Sequence, residues 1–388
     1  MQRHLITPRP HWQQQAREYG FDFHTLFDEP YWDESRYYAF SLQQIEGDIE
    51  APTEELQQMC LAVVEEVVRD EELLRRFAIP EAHWELVASS WRAREPSLYA
   101  RMDLAYDGKG PAKLLENNAD TPTSLYESAF FQWLWLEDRI GDGTLPPAAD
   151  QFNSIQEALI QRFSELQRQW PAKPVYFASC KDNVEDRGTV QYLEDCAAEA
   201  GLATAYVAIE QIGLGKWGQF VDADGEDIDI CFKLYPWEFM LREEFAPELE
   251  QARVHWLEPA WKSVLSNKAI LPMLWRRYPH HPNLLPAYFA DDLHRCSESR
   301  LVKKPIYSRE GANIEIIENG SVVERSGGAY GEEGAIYQGY HDLARFGDDY
   351  ALIGAWLVGD RAVGLSIRED RSRITQDLSR FVPHIITP

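Results

Sequence analysis

Between Thr53 and Phe77 the apolar residues Leu56, Cys60, Val63, Val64, Val67 and Leu74 recur at the spacing of one helical face, with Glu and Arg on the other. The spacing predicts one long packed helix. A second stripe, Phe152, Ile155, Leu159, Phe163 and Leu166, predicts another helix, closed at Trp170-Pro171, where proline discourages continuation. Beyond it the period shortens. Val175 to Cys180 reads as a buried strand, Thr189 to Ala200 as a helix ended by Gly201, and Ala203 to Ile209 as another strand, which together make a small βαβ unit. Asp224-Gly225 is a hairpin-type turn leading into Ile228 to Lys233, so the middle third is expected to be an open α/β layer. In the C-terminal third, Lys303 to Ile306, Asn313 to Ile317, Ile336 to Gln338, Tyr350 to Val358 and Arg361 to Arg368 read as strands, with Asn319-Gly320 and Gly359-Asp360 as tight turns. An antiparallel sheet with few helices is expected there. No internal repeat or low-complexity linker separates these stretches, so the lobes should be contiguous.

The many aromatic rings, 13 Trp, 18 Tyr and 17 Phe, need partners to bury them and argue against disorder. The formal net charge of −26 repels nucleic-acid backbones and anionic lipid but attracts a cationic metabolite or Mg²⁺; solubility alone also explains an acidic chain. Cys60, Cys180, Cys196, Cys231 and Cys296 are odd in number and contain no C-x-x-C pair, so buried free thiols are expected instead of a disulfide framework or a zinc site. The start has no signal-peptide run, and no window approaches the ~20 apolar residues of a membrane span, so a cytoplasmic location is expected.

The densest polar cluster is Arg101-Met-Asp103 followed by Lys113-Leu-Leu-Glu116-Asn-Asn118-Ala-Asp120. Residues two apart on a strand share a face, so Arg101 with Asp103 and Glu116 with Asn118 converge if these are neighbouring strands. Two carboxylates and an amide oxygen are ligands that suit Mg²⁺ bridging nucleotide phosphates. The same residues also suit a salt-bridged surface hairpin. Lys268 precedes an apolar run, and Lys304 leads into the Ser308 to Asn313 loop containing Gly311, an order that lets ammonium groups and backbone N–H groups cover phosphates. No Walker loop occurs, and Gly213-Leu-Gly215-Lys216 lacks its spacing. Arg368 ends a strong strand, where a guanidinium can stabilise charge on a reacting carbonyl or simply belong to a charged turn. The chain has neither the H-E-x-x-H of a zinc hydrolase nor the G-x-S-x-G elbow of a serine hydrolase.

Taken in order, Arg101-Met-Asp103, Leu114 to Asp120, Phe232-Lys233, Glu258 to Lys262, Asn267 to Pro272, Lys304 to Ile306, Gly311 to Ile314, Ile336 to Gln338 and Ile367 to Asp370 resemble the synthetase domain of the glutathionylspermidine synthetase family and its stand-alone acid–amine ligase relatives. The resemblance runs from about Phe21 to the C-terminus. It implies an α+β or α/β chain with an ATP-grasp-like fold, a preceding small α/β (pre-ATP-grasp) lobe and a helical N-terminal part. The corresponding parts are 1–170 with the metal-binding strands, 171–255 as the α/β lobe and 256–388 as the nucleotide-binding part.

It further implies an ADP-forming ligase that uses ATP and Mg²⁺ to join a carboxylate to an amine through an acyl-phosphate. Asp103, Glu116 and Asn118 would hold Mg²⁺. Lys268 and Lys304 would bind ATP phosphates, Gly311 belongs to the lid and Gln338 to the adenine hinge, and Arg101 and Arg368 would face the acyl-phosphate. Glu185 and Asp186 match the acidic pair that contacts the polyamine in the family, and a further acidic contact falls near Thr375 to Arg380. Thr121-Pro-Thr123-Ser124 departs from the Ser- and Cys-containing stretch of glutathione-using members. The amidase domain of bifunctional members has no counterpart before Arg101. The competing expectations are a nucleotide-binding regulator of the same fold without catalysis and a phosphotransferase that stops at phosphorylation.

Overall fold

Seven consecutive buried residues, Tyr99–Ala105, form the strand around which the rest is assembled. The computed structural model describes residues 1–26, 28–170, 172–376 and 379–387. Tyr99–Ala105 pairs antiparallel with Lys113–Asn118 on one side and with Asp349–Val358 on the other. Asp349–Val358 turns through Gly359, at φ 58°, into Arg361–Asp370, and Arg380–Phe381 closes that edge. A strand buried on both faces needs cover on both. On one face the helix Ala51–Val67 brings Leu56, Val63, Val64 and Val67 into a core with Met102, Leu104, Ile353 and Ile367. On the other, the helix Ile155–Gln167 packs Leu159 and Phe163 into a core with Tyr99, Trp356 and Val358.

The single helix expected over 53–77 is two, Ala51–Val67 and Glu71–Arg76. The Asp70 carboxylate accepts from the backbone N–H groups of Glu72 at 2.9 Å and Leu73 at 3.2 Å and so starts a new helix. Leu73, Leu74 and Phe77 remain buried beyond the break, which is why the apolar pattern runs through it. The helix expected from Thr189 begins earlier, at Val184, with Asn183 as its cap and Glu185 and Asp186 in its first turn.

The middle third is the open α/β layer that its pattern predicts. The strands His255–Leu257, Ile230–Lys233, Val175–Ser179 and Thr204–Ala208 lie side by side in that order, all parallel.

The C-terminal strands do not form one antiparallel sheet, as expected from their sequence, but divide between two. Ala287–Phe289, Ala335–Gly339, Arg300–Pro305, Glu315–Glu318 and Ser321–Arg325 make a separate antiparallel sheet, in that order, whereas Asp349–Val358 and Arg361–Asp370 join Tyr99–Ala105. Alternation marks a strand but not its partner. Strands from either side of residues 170 and 256 therefore share the central sheet. The two ends of the chain also meet, since Arg36–Ser41 pairs with both Gln2–Leu5 and His384–Thr387. Among the described residues no helix is long and apolar enough to cross a membrane. All five cysteines carry free thiols.

Candidate functional site

A cleft of about 360 Å³ opens where the three sheets meet. Its walls are Arg101, Asp103, Glu116 and Asn118 from the central sheet, Cys180, Asn183 and Leu234 at the carboxyl ends of parallel strands, and Val302, Lys304 and Gln338 from the separate antiparallel sheet. Carboxyl ends of parallel strands are where open α/β sheets bind ligands, because the flanking loops there diverge and leave a crevice.

The register of Tyr99–Ala105 on Lys113–Asn118 sets Asp103 opposite Glu116 and Arg101 opposite Asn118, so the two dipeptide-spaced pairs do share a face. Asp103 sits between two guanidinium groups. Arg101 Nε donates to Oδ1 at 2.8 Å, and Arg368 Nη2 donates to Oδ2 at 2.6 Å. Arg101 also donates to the Thr123 carbonyl at 2.9 Å and lies over the Trp356 ring, 5.5 Å from its centroid. Burial and the neighbouring Arg101 pull the Arg368 guanidinium below its ordinary range, with Asp103 opposing.

Glu116 is held by a lysine from the turn between the helices Lys262–Leu265 and Ile270–Arg277. Lys268 Nζ lies 3.1 Å from its Oε2 and also donates to the Ser308 carbonyl at 2.7 Å. Lys304 Nζ donates to the Leu115 carbonyl at 2.8 Å, and Gln338 Nε2 to the Leu114 carbonyl at 2.9 Å. Burial works against the charged carboxylate of Glu116, but Lys268, Lys304 and Arg368 outweigh it and hold the group below its ordinary range. Burial and Lys268 bring the Lys304 ammonium down to about 8, against the pull of Glu116 and Asp103. Asn118 Nδ2 is 3.4 Å from Glu116 Oε1.

Two carboxylates and an amide form an all-oxygen donor set, which suits a hard cation whose shell is completed by phosphates and waters. No cluster of three or more His, Cys, Asp or Glu side chains that could hold a metal ion occurs among the described residues.

Gly311, at φ 68°, lies in the loop after Arg300–Pro305, where a Cβ would press on the Thr375 carbonyl. Asp186 lines the cleft; burial and Glu310 push its carboxyl up to about 6, with Arg309 opposing. Glu185 lies beside it in sequence and its Oε1 is 3.1 Å from the Tyr31 hydroxyl. Asp377, in the stretch expected to supply a further acidic contact, lies outside the described residues, while Thr375 lines the cleft.

Several residues of the site escape a reading of the sequence. Val302, Ile316 and Leu352 make an apolar slot beside Gln338. Arg309 ties the loop down, donating to Glu238 at 2.8 Å and to Thr121. Lys233 and Asp120 form a fully buried ion pair of 2.6 Å that anchors the turn carrying Thr121 to Thr123. Gly354 is required by Arg101 itself, because a Cβ there would lie 2.8 Å from Arg101 Cδ. Lys233 and Asp120 themselves stand in the blocks Phe232-Lys233 and Leu114 to Asp120, but nothing local shows that they pair, and none of these contacts has a period.

The fold is a mixed α/β architecture like that of a glutathione synthetase-like effector of Globodera pallida, with a TM-score of 0.53 over 90% of this chain and 89% of that one, at 12% identity. The model of the family described as glutathionylspermidine synthase preATP-grasp matches residues 3–387, and the chain belongs to that family. It is 40% identical to a Haemophilus influenzae protein provisionally named an acid–amine ligase, across 98% of both chains. It is 30% identical to trypanothione synthetase of Crithidia fasciculata over 80% of its own length, and this match spans 50% of that longer protein.

Proposed function

We propose that the chain is an ATP- and Mg²⁺-dependent ligase that joins a small peptide-like or amino-acid carboxylate to an amine through an acyl-phosphate, releasing ADP and phosphate. The observation that carries this reading is that Glu116, in the wall of the cleft with Lys304, pairs with Lys268 behind it and stands beside Asp103 and its two arginines. Cations and acidic oxygens that neutralise one another in this way are the groups a magnesium triphosphate would re-pair, with lysines turning to phosphates.

A carboxylate is a poor acyl donor until phosphorylation turns its oxygen into a leaving group. Asp103, Glu116 and Asn118 would hold Mg²⁺, which supplies charge neutralisation on the phosphoryl oxygens. Lys268 and Lys304 would bind the phosphates, and Gln338 with the apolar slot of Val302, Ile316 and Leu352 would receive adenine. Arg101 and Arg368, held at fixed separation by Asp103, would stabilise the charge growing on the acyl-phosphate oxygens. The loop bearing Gly311 would exclude water from that intermediate. Glu185 and Asp186 would draw the cationic amine, a polyamine being one candidate, and the acidic surface agrees with that attraction.

A phosphate-release screen across carboxylates and amines tests the reading. ADP and phosphate are expected only when both substrates are present, and Lys304→Ala and Asp103→Ala should abolish turnover while remaining folded. Unchanged turnover in both variants sinks the assignment. Nucleotide binding without turnover on any pair favours the regulator, and a stable phosphorylated product favours a phosphotransferase.

A further inference from the structure

The Tyr31 hydroxyl lies 2.8 Å from Glu127 Oε1 and 3.1 Å from Glu185 Oε1. A phenol carries one proton, so it donates fully to only one of two ionised carboxylates, and the other contact then sets oxygen lone pairs against each other. With both carboxylates charged the chain of three groups is one proton short. Glu127 is fully buried, and its second oxygen, Oε2, has no hydrogen-bond partner among the described residues. Burial pushes its carboxyl up to about 7, against its own backbone N–H, Tyr31 and Arg101. Tyr31 is walled by the rings of Phe21, Phe23 and Phe381. Among the described residues, Arg101 and Arg368 face Tyr31, Arg101 and Tyr126 face Glu127, and Asp186 stands next to Glu185.

We propose that Glu185, Tyr31 and Glu127 form a proton-accepting chain that takes the proton an amine substrate must lose before it attacks. The step rests on the ligase reading above. The ammonium R–NH₃⁺ gives one proton to the Glu185 carboxylate, and the freed amine attacks the acyl carbon. The C–N bond forms, the bond from carbon to the phosphate oxygen breaks, and phosphate departs with that electron pair and with the second nitrogen proton as hydrogen phosphate. One proton remains on the chain. The proton passes through the Tyr31 hydroxyl to Glu127, which then donates to Tyr31 while Tyr31 donates to Glu185, so both hydrogen bonds are made. Glu127, as the final acceptor with a proton affinity near neutrality, suits such a transfer. Glu127 and Tyr31 act through Glu185 and are positioning residues.

The experiment uses the full chain with ATP, glutathione as the carboxylate, and either spermidine or hydroxylamine as the amine. Hydroxylamine is uncharged at neutral pH and needs no base before attack. Tyr31→Phe and Glu127→Gln are expected to lower turnover with spermidine by about 10²-fold while hydroxamate forms near the wild-type rate. Equal losses with both amines indicate a structural role and overturn the inference. Infrared difference spectra of the substrate-free chain, stepped across neutral pH, supply a second readout. A carboxylic-acid band titrating at about 7 should vanish in Glu127→Gln and shift in Tyr31→Phe. Its persistence in Glu127→Gln overturns the shared proton. A wild-type chain that makes neither amide nor hydroxamate with glutathione or with any other carboxylate of the phosphate-release screen instead removes the ligase reading, and the abstraction step with it, while the infrared result still decides whether the proton is shared.

Discussion

Arg368 and Asp103 stand 265 positions apart in the chain and 2.6 Å apart in space. The contact joins Arg361–Asp370 to Tyr99–Ala105 across the intervening strand Asp349–Val358. It leaves one carboxylate between a buried guanidinium, Arg101, and a half-buried one, Arg368, whose positions it therefore sets together.

If the two guanidinium groups stabilise charge that develops only during reaction, Arg101→Ala and Arg368→Ala should each lower kcat by about 10²–10³-fold with little change in KM for ATP. Steady-state phosphate release measures both. A raised KM at unchanged kcat would show that the arginines bind ground states instead.

Lys304 gives a pH dependence with a defined sign. Its ammonium is charged below about 8 in the free protein and loses its charge as pH rises through that value. kcat/KM for ATP should fall above it, because phosphate loses a cationic partner. Lys304→Arg keeps its charge at all accessible pH and should move the fall upward. A profile identical in the two proteins would remove Lys304 from phosphate binding.

Asp186 and the acidic surface give two further dependences. The carboxylate is charged above about 6 and loses its charge as pH falls through that value, so kcat/KM for a polycationic amine should decline on acidification. Added salt should weaken capture as well, since attraction is screened beyond ~8 Å at physiological ionic strength. Asp186→Asn should flatten the acid limb. An amine affinity indifferent to both salt and pH excludes this use of the charge.

The Lys233–Asp120 pair is a matter of stability. Both side chains are inaccessible, and Asp120 Oδ2 also accepts from the Trp237 backbone N–H at 2.7 Å. Asp120→Ala strands a buried ammonium and should cost about 3–5 kcal/mol in denaturant unfolding. Replacing both members by apolar residues of similar size should recover much of that loss. A single variant as stable as the double one would mean that the ammonium finds another partner.

Gly354 links packing to chemistry. A Cβ there would come 2.5 Å from Ser366 Oγ as well as against Arg101, so Gly354→Ala should cost about 1–3 kcal/mol and displace the guanidinium. Its loss of turnover should match that of Arg101→Ala. Turnover at the wild-type level would show that Arg101 reaches its position by another path.

Much of the site was legible because strand periodicity is local. Arg101 with Asp103, and Glu116 with Asn118, declared a shared face through their spacing alone, and the resemblance of nine ordered blocks pointed to the family. The helices around Leu159 and Val63 were equally plain, since burial of one stripe repeats with the turn of the backbone. The break at Asp70 was hidden because the apolar stripe continues across it and only a capping side chain marks it.

What the sequence by itself determined, then, is which residues turn inward together and which family their order matches. Tertiary structure alone decided that Asp349–Val358 inserts beside Tyr99–Ala105 instead of joining the strands before it, that Gly354 clears a path for Arg101, and that Tyr31 bridges Glu127 and Glu185. The reason is physical. A period records how a segment meets the interior, whereas the identity of the distant segment that meets it is settled by competition among all possible pairings in three dimensions.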